Sequence, residues 1–139
     1  DGQHSAKYIE PLVKEIENGN SIVIGSRFVD EKKPFTARMI GSRFIAGAIK
    51  LVTGKTITDP TSGLRMVNRD VMKIFAYDYP KDYPEPESVV AILRQKKNVE
   101  EIPVIMKARE GGVSSISPKK SVYYMIKVTL AILIERIRK

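Results

Sequence analysis

Hydrophobic and polar positions change period several times along the chain, and each change marks an element. Over residues 8–17, Ile9, Leu12, Val13 and Ile16 recur at helical spacing among charged residues, with Pro11 near the first turn. A helix is predicted there, stopped by Asn18, Gly19 and Asn20. The stretch "SIVIGSRF" then holds a short continuous apolar run typical of a buried parallel strand. Gly25, Ser26 and Arg27 stand at its exit, where ligands of open α/β sheets gather. A charged, proline-containing loop over 29–35 leads to a second helix, capped by Thr36, reaching Val52 and closed by Gly54. Its expected apolar stripe is Ile40, Phe44, Ala48 and Leu51, with Arg43 and Lys50 on another face.

Next comes "TITDPTSGLRMVNRDV", a polar patch between two apolar segments. Asp59 precedes Pro60, which biases it toward an extended conformation, Ser62 and Gly63 permit close backbone approach, and Arg65 begins the next strand. Asn68 caps a helix over "RDVMKIFA", with Asp70 in its first turn where the helix dipole favours it. The tyrosine-rich loop "YDYPKDYPEPE" ends where Pro86 and Glu87 open a helix through Gln95. "VEEIPVIMKAR" alternates as a strand, but Pro103 lacks a backbone donor and pushes it to an edge or a bulge. After the loop "EGGVSSISPKKS", a last helix over 121–137 carries Val122, Ile126, Thr129, Leu133 and Ile137 as one stripe. Residues 128–134 are apolar all round, which calls for cover on every side. A bilayer span needs about 20 apolar residues, more than this run holds.

Composition narrows the chemistry. With 139 residues the chain is the size of one domain. It has no cysteine and a single histidine, His4, which excludes disulfides, thiolate metal sites and multi-histidine zinc clusters. A formal net charge of +8 favours an anionic partner: nucleic acid, a nucleotide, phospholipid headgroups or a lipid phosphate. Nucleic acid ranks low, because the cations are dispersed and no zinc or RNA-binding motif accompanies them. The opening "DGQHSAKYIEPL" reads as the middle of a loop, so the chain is expected to be a fragment of something longer.

Several side chains could carry chemistry, each with a plainer alternative. Arg27 could clamp phosphate oxygens, or only solvate a strand end. Arg38 and Arg43 could meet a second anion, or be ordinary helix arginines. Asp59 with Ser62, Arg65 and Arg69 could form a site, or a salt-bridged aspartate-proline turn. Glu85 and Glu87 could be bases or metal ligands, or cap a helix start. Asp1, beside Gln3 and His4, could bind a hard divalent cation, or do nothing.

Taken in order, "DGQH", "IVIGSRF", "TDPTSGLRMVNRDV", "YPEPE", "EEIPVIMKAREGGVSSI" and "SVYYMIKVTLAIL" resemble the second half of inverting glycosyltransferases of family 2, with the GT-A fold. That broad family contains dolichol-phosphate mannosyltransferases and bacterial cell-wall or lipid-linked sugar transferases. The resemblance covers nearly the whole chain. It implies an α/β fold: the C-terminal portion of a Rossmann-like GT-A domain, a mixed sheet with flanking helices and a C-terminal amphipathic helix. Residues 1–118 would form its acceptor-side half, and residues 119–139 a helix lying at a membrane interface or packed on protein.

By the same resemblance, Asp1 is the last aspartate of an Asp-x-Asp motif that holds Mg2+ or Mn2+ against a donor diphosphate, with Gln3 beside it. Arg27 would contact phosphate, Arg38 or Arg43 the acceptor's phosphate, and Arg109 with "GGVSS" would close over the phosphates. Asp59 would orient or deprotonate the acceptor, supported by Ser62 and Arg65, with Glu87 as an alternative base. The implied reaction moves a hexose, with inversion, from a UDP-linked nucleotide sugar to a polyprenyl phosphate or a cell-envelope glycan. The family's first half, with its nucleotide pocket and first metal aspartate, has no counterpart here. The isolated chain is therefore expected to lack transferase activity and to self-associate into a homo-oligomer through uncovered edges. The implied location is cytoplasmic, on the inner face of the cell membrane, with Lys119, Lys120 and Lys127 toward anionic lipid. A noncatalytic basic module that binds anionic membrane or polysaccharide is the competing expectation.

Overall fold

One five-residue strand organises the molecule. A computed structural model describes residues 2–107 and 117–137, apart from the side chain of Glu135. Strand β1 (Ile22–Ser26) is buried at every position and lies at the centre of a three-stranded sheet. On one side it pairs antiparallel with β2 (Arg65–Val67), Ile24 opposite Arg65. On the other it pairs parallel with β3 (Val99–Pro103), Ile24 opposite Glu101 and Ser26 opposite Pro103. The unbroken apolar run of β1 thus matches a strand covered on both faces. Pro103 falls at the last position of an edge strand, where its missing donor costs the ladder little.

A single 3-10 turn (Ala6–Tyr8) enters α1 (Ile9–Glu17). Helix α2 (Ala37–Thr53) starts and stops where its sequence predicts. Thr36 Oγ1 accepts from the Met39 amide at 3.3 Å, and Gly54 adopts the left-handed conformation, φ 77°, at the C-cap. Helix α3 (Arg69–Tyr77) is capped by Asn68, whose side chain accepts from the Val71 amide. Helix α4 (Pro84–Arg94) begins at Pro84, earlier than expected, because two prolines already fit its first turn. Helix α5 (Pro118–Ile137) likewise begins ahead of Ser121.

The buried faces of α2 and α5 differ from expectation. Helix α2 turns Ser42, Ile45, Ala48 and Ile49 inward, while Phe44 is 65% and Leu51 59% exposed. Helix α5 buries Met125, Val128 and Ile132 and leaves Val122, Ile126 and Ile137 exposed. Both helices carry apolar residues on two faces, so helical spacing alone could not select the one that meets the sheet. The helices pack on each other closely: a Cβ added to Gly41 would stand 2.5 Å from Met125 Cγ. Val128 and Ile132 join the same core as Ile24, Ile45, Ile49 and Val89. The architecture is α/β, a mixed sheet with flanking helices, compatible with part of a Rossmann-like glycosyltransferase domain. Among the described residues, no helix is long and apolar enough to cross a membrane.

Candidate active site

The polar patch forms a turn over residues 57–64, stitched to the exit of β1. Gly25 donates its amide to the Leu64 carbonyl at 2.8 Å, and its own carbonyl accepts from Ser62 Oγ at 2.7 Å. A Cβ at Gly25 would stand 2.7 Å from Leu64 Cδ2, so the Leu64 side chain would have to move to admit one. Ser62 is therefore buried as a staple between turn and strand. Arg65 holds the turn from the other end. Its guanidinium donates to the carbonyls of Ser62, Pro60 and Glu85 and to Ser88 Oγ, at 2.6–3.1 Å. Burial, chiefly, lowers the pKa of Arg65, with Glu85 acting in the opposite sense.

Asp59 sits at the heart of this turn with 0% exposure. Oδ2 accepts from Arg27 Nε at 2.8 Å and from the Arg27 amide at 3.2 Å, and Oδ1 accepts from Nη2 at 2.9 Å. This is the bidentate fork that arginine forms with carboxylates. The hydrogen bond to Asp59 raises the pKa of Arg27, against the effect of burial. The Arg27 side chain keeps 21% exposure, so it is gripped by Asp59 without being enclosed.

A second cation stands near it. Lys33 Nζ donates to Ser42 Oγ at 3.0 Å and lies 5.3 Å from the Phe28 ring centre, the ring that Arg27 also covers. Arg43 Nη2 donates to the Lys33 carbonyl at 2.9 Å while its guanidinium lies over Phe35. Burial lowers the pKa of Lys33; Asp59 opposes this, and Arg43 and Arg27 add to it. The three cations thus form one positive patch around the β1 exit, partly neutralised by Asp59.

The remaining candidates disperse. Arg38 lines a cleft of about 480 Å³ with Thr36, Thr61, Glu85, Ser121 and Tyr124. Thr61 belongs to the Asp59 turn, so this cleft adjoins the patch. Burial, then Glu85, raises the pKa of Tyr124 there. Glu87 lines a different cleft, of about 400 Å³, with Asp78, Pro80 and Arg94. Gln3 is tied to the chain just beyond β3, its Nε2 donating to the Lys107 carbonyl at 3.3 Å. Asp1 and Arg109 lie outside the described residues. Among the described residues no group of three or more His, Cys, Asp or Glu side chains could hold a metal ion.

Sequence reasoning missed Lys33, Ser42 and Glu101. Glu101 binds the Thr58 and Asp59 amides from β3. Alternation contained a signal for it: Val99 and Glu101 share a face, and Val99 is buried. Nothing comparable marks Lys33, one of several cations in its loop.

No family model matches the chain. It is 36% identical over 78 residues, 52% of its length, to a dolichol-phosphate mannosyltransferase of Pyrococcus furiosus, and covers 22% of that protein. It is 33% identical over 113 residues to an uncharacterized protein of Methanocaldococcus jannaschii, covering 75% of this chain and 45% of that one. With the UDP-N-acetylglucosamine–dolichyl-phosphate N-acetylglucosaminyltransferase of Methanococcus voltae it shares 27% identity over 114 residues, 75% of this chain and 44% of that protein. The chain therefore spans less than half the length of these curated relatives. These partial likenesses support a polyprenyl-phosphate glycosyltransferase-like family.

Proposed function

We propose that this chain forms the acceptor side of a polyprenyl-phosphate glycosyltransferase. The observation that carries the reading is the Asp59–Arg27 fork, which holds a partly exposed arginine side chain beside Lys33 at the exit of β1. A lipid phosphate would dock its oxygens on Arg27 and Lys33, with Arg38 at the adjoining cleft. Ionised near neutral pH, it needs no base. One phosphate oxygen attacks the anomeric carbon of the nucleotide sugar, and the bond to the nucleotide diphosphate breaks, the nucleotide leaving with the electron pair. The configuration inverts. Asp59 takes no proton in this scheme; buried and gripped by Arg27, it orients the cation. Mg2+ or Mn2+ enters the proposal only through Asp1.

The face formed by α2 and α5 supports a location at the bilayer. Phe35, Phe44, Leu51, Ile126 and Leu130 are exposed there, and Arg43, Lys50 and Lys127 lie on the same two helices or just before them. An apolar cavity of about 430 Å³ lies between the helices, lined by Ile40, Phe44, Met125, Ile126 and Leu130. Apolar surface with neighbouring cations fits an anionic membrane. The same face favours the second reading, a noncatalytic module that binds anionic membrane.

One assay separates the two readings: nucleotide release from a panel of sugar nucleotides by the protein at its full natural length, with and without polyprenyl phosphate. Release that requires the lipid phosphate and collapses in Arg27→Ala is expected. Absence of release with every donor, from folded protein, would favour the module.

A further inference from the structure

Glu101 is an acid on the face of β3 that also carries buried Val99. Its two oxygens accept from the Thr58 amide, Thr58 Oγ1 and the Asp59 amide at 2.9–3.0 Å. Among the described residues no cation is bonded to it, so its charge is met by consecutive N–H groups and a hydroxyl. Hydrogen bonds of this charge-assisted kind are the stronger ones. Because Thr58 gives its one hydroxyl proton to Glu101, Ser26 Oγ must donate in the 2.6 Å contact with Thr58 Oγ1. Ser26 Oγ in turn accepts from the Phe28 amide. A continuous path of hydrogen bonds thus runs from β3 through the turn to the backbone on either side of Arg27.

We propose that Glu101 is a positioning residue: it fixes the Thr58–Asp59 peptide so that Asp59 holds Arg27 in its phosphate-facing orientation. The role rests on the reading of Arg27 given above. Two converging amides define where the Asp59 backbone stands, and from there the Asp59 carboxylate meets both Nε and Nη2 of Arg27. A glutamine at 101 with its NH2 group in the place of Oε2 would set a donor against the Thr58 amide, which now donates there at 2.9 Å, and the Thr58 hydroxyl would have to turn to accept. An aspartate would keep the charge but withdraw it by one methylene.

The test uses Glu101→Gln and Glu101→Asp in the protein at its full natural length, with two readouts. Exchange of the Arg27 Nε proton with water, followed by NMR, needs no activity. It is expected to quicken about tenfold in Glu101→Gln, the size set by losing a hydrogen bond to a charged group, and less in Glu101→Asp. KM for a short polyprenyl phosphate should rise about tenfold while kcat stays within about twofold, as for lost uniform binding. Unchanged Arg27 exchange in folded Glu101→Gln overturns the proposal. Faster exchange with unaltered KM also overturns it; if Arg27→Ala leaves KM unaltered too, the fault lies in the reading of Arg27. Should Glu101→Gln fail to fold, Glu101→Asp carries both readouts.

Discussion

The turn over 57–65 and the face of α2 and α5 handle polarity in opposite ways. The turn buries a carboxylate and a hydroxyl and half-buries a guanidinium; the face exposes phenylalanine, leucine and isoleucine. Among the described residues no buried side-chain nitrogen or oxygen lacks a hydrogen-bond partner, those of the turn included. Such a network holds one geometry, since each member lost leaves others unsatisfied in a low dielectric. The exposed face makes no such demand, because side chains against a fluid apolar medium can adapt. A phosphate on an isoprenoid chain would need both: a rigid cation for its head and an adaptable surface for its tail.

Arg65→Ala strikes the rigid region hardest. It leaves the carbonyls of Pro60 and Ser62 without the Arg65 guanidinium, while Glu85 keeps a bond from Ser88 Oγ. A loss of about 3 kcal/mol or more in urea unfolding is expected. A change below about 1 kcal/mol would show that the turn is not held from this end.

On the exposed face the pattern reverses. Phe44→Glu should alter unfolding free energy by no more than about 0.5 kcal/mol, because the ring has little burial to lose. Sedimentation with vesicles of anionic phospholipid should nonetheless fall about tenfold, since the substitution places a charge at the centre of the apolar surface. Retained sedimentation would remove the membrane role from this face.

The smallest effect concerns pH and sharpens the comparison where its regions meet. Burial holds the pKa of Lys33 below its ordinary 10.5. As pH rises, Lys33 therefore loses its proton earlier than a solvated lysine, and with it the attraction for phosphate. KM for the lipid phosphate should climb as pH approaches the lysine range from below, and Lys33→Arg should flatten that climb. An identical profile in the variant would exclude Lys33 from the phosphate site.

Much of the frame was legible before any coordinates. Thr36, Gly54 and Asn68 mark helix ends by local hydrogen bonding, so they could be read in sequence. The run of β1 announced a strand covered on both faces, and Pro103 an edge. The inward face of α2 was not legible, because Ile45 and Ile49 compete there with Phe44 and Leu51 on equal terms. In the candidate site, Asp59, Ser62 and Arg65 emerged as a group from their turn chemistry. The structure makes that turn both things the sequence allowed: a salt-bridged turn and a platform beside cations. Alternation placed Glu101 on the buried face of its strand but not against Thr58, 43 positions away, and nothing local marks the bond of Lys33 to Ser42, 9 positions away.

The central claim is that Asp59 acts through Arg27 and not on the acceptor itself. A double-mutant cycle of Asp59→Asn and Arg27→Ala, read as kcat/KM for nucleotide release with polyprenyl phosphate, tests it most directly. The account predicts strong non-additivity, with Asp59→Asn costing almost nothing once Arg27 is gone. If Asp59→Asn still lowers kcat by a large factor in the Arg27→Ala background, the carboxylate does chemistry of its own and the account is wrong.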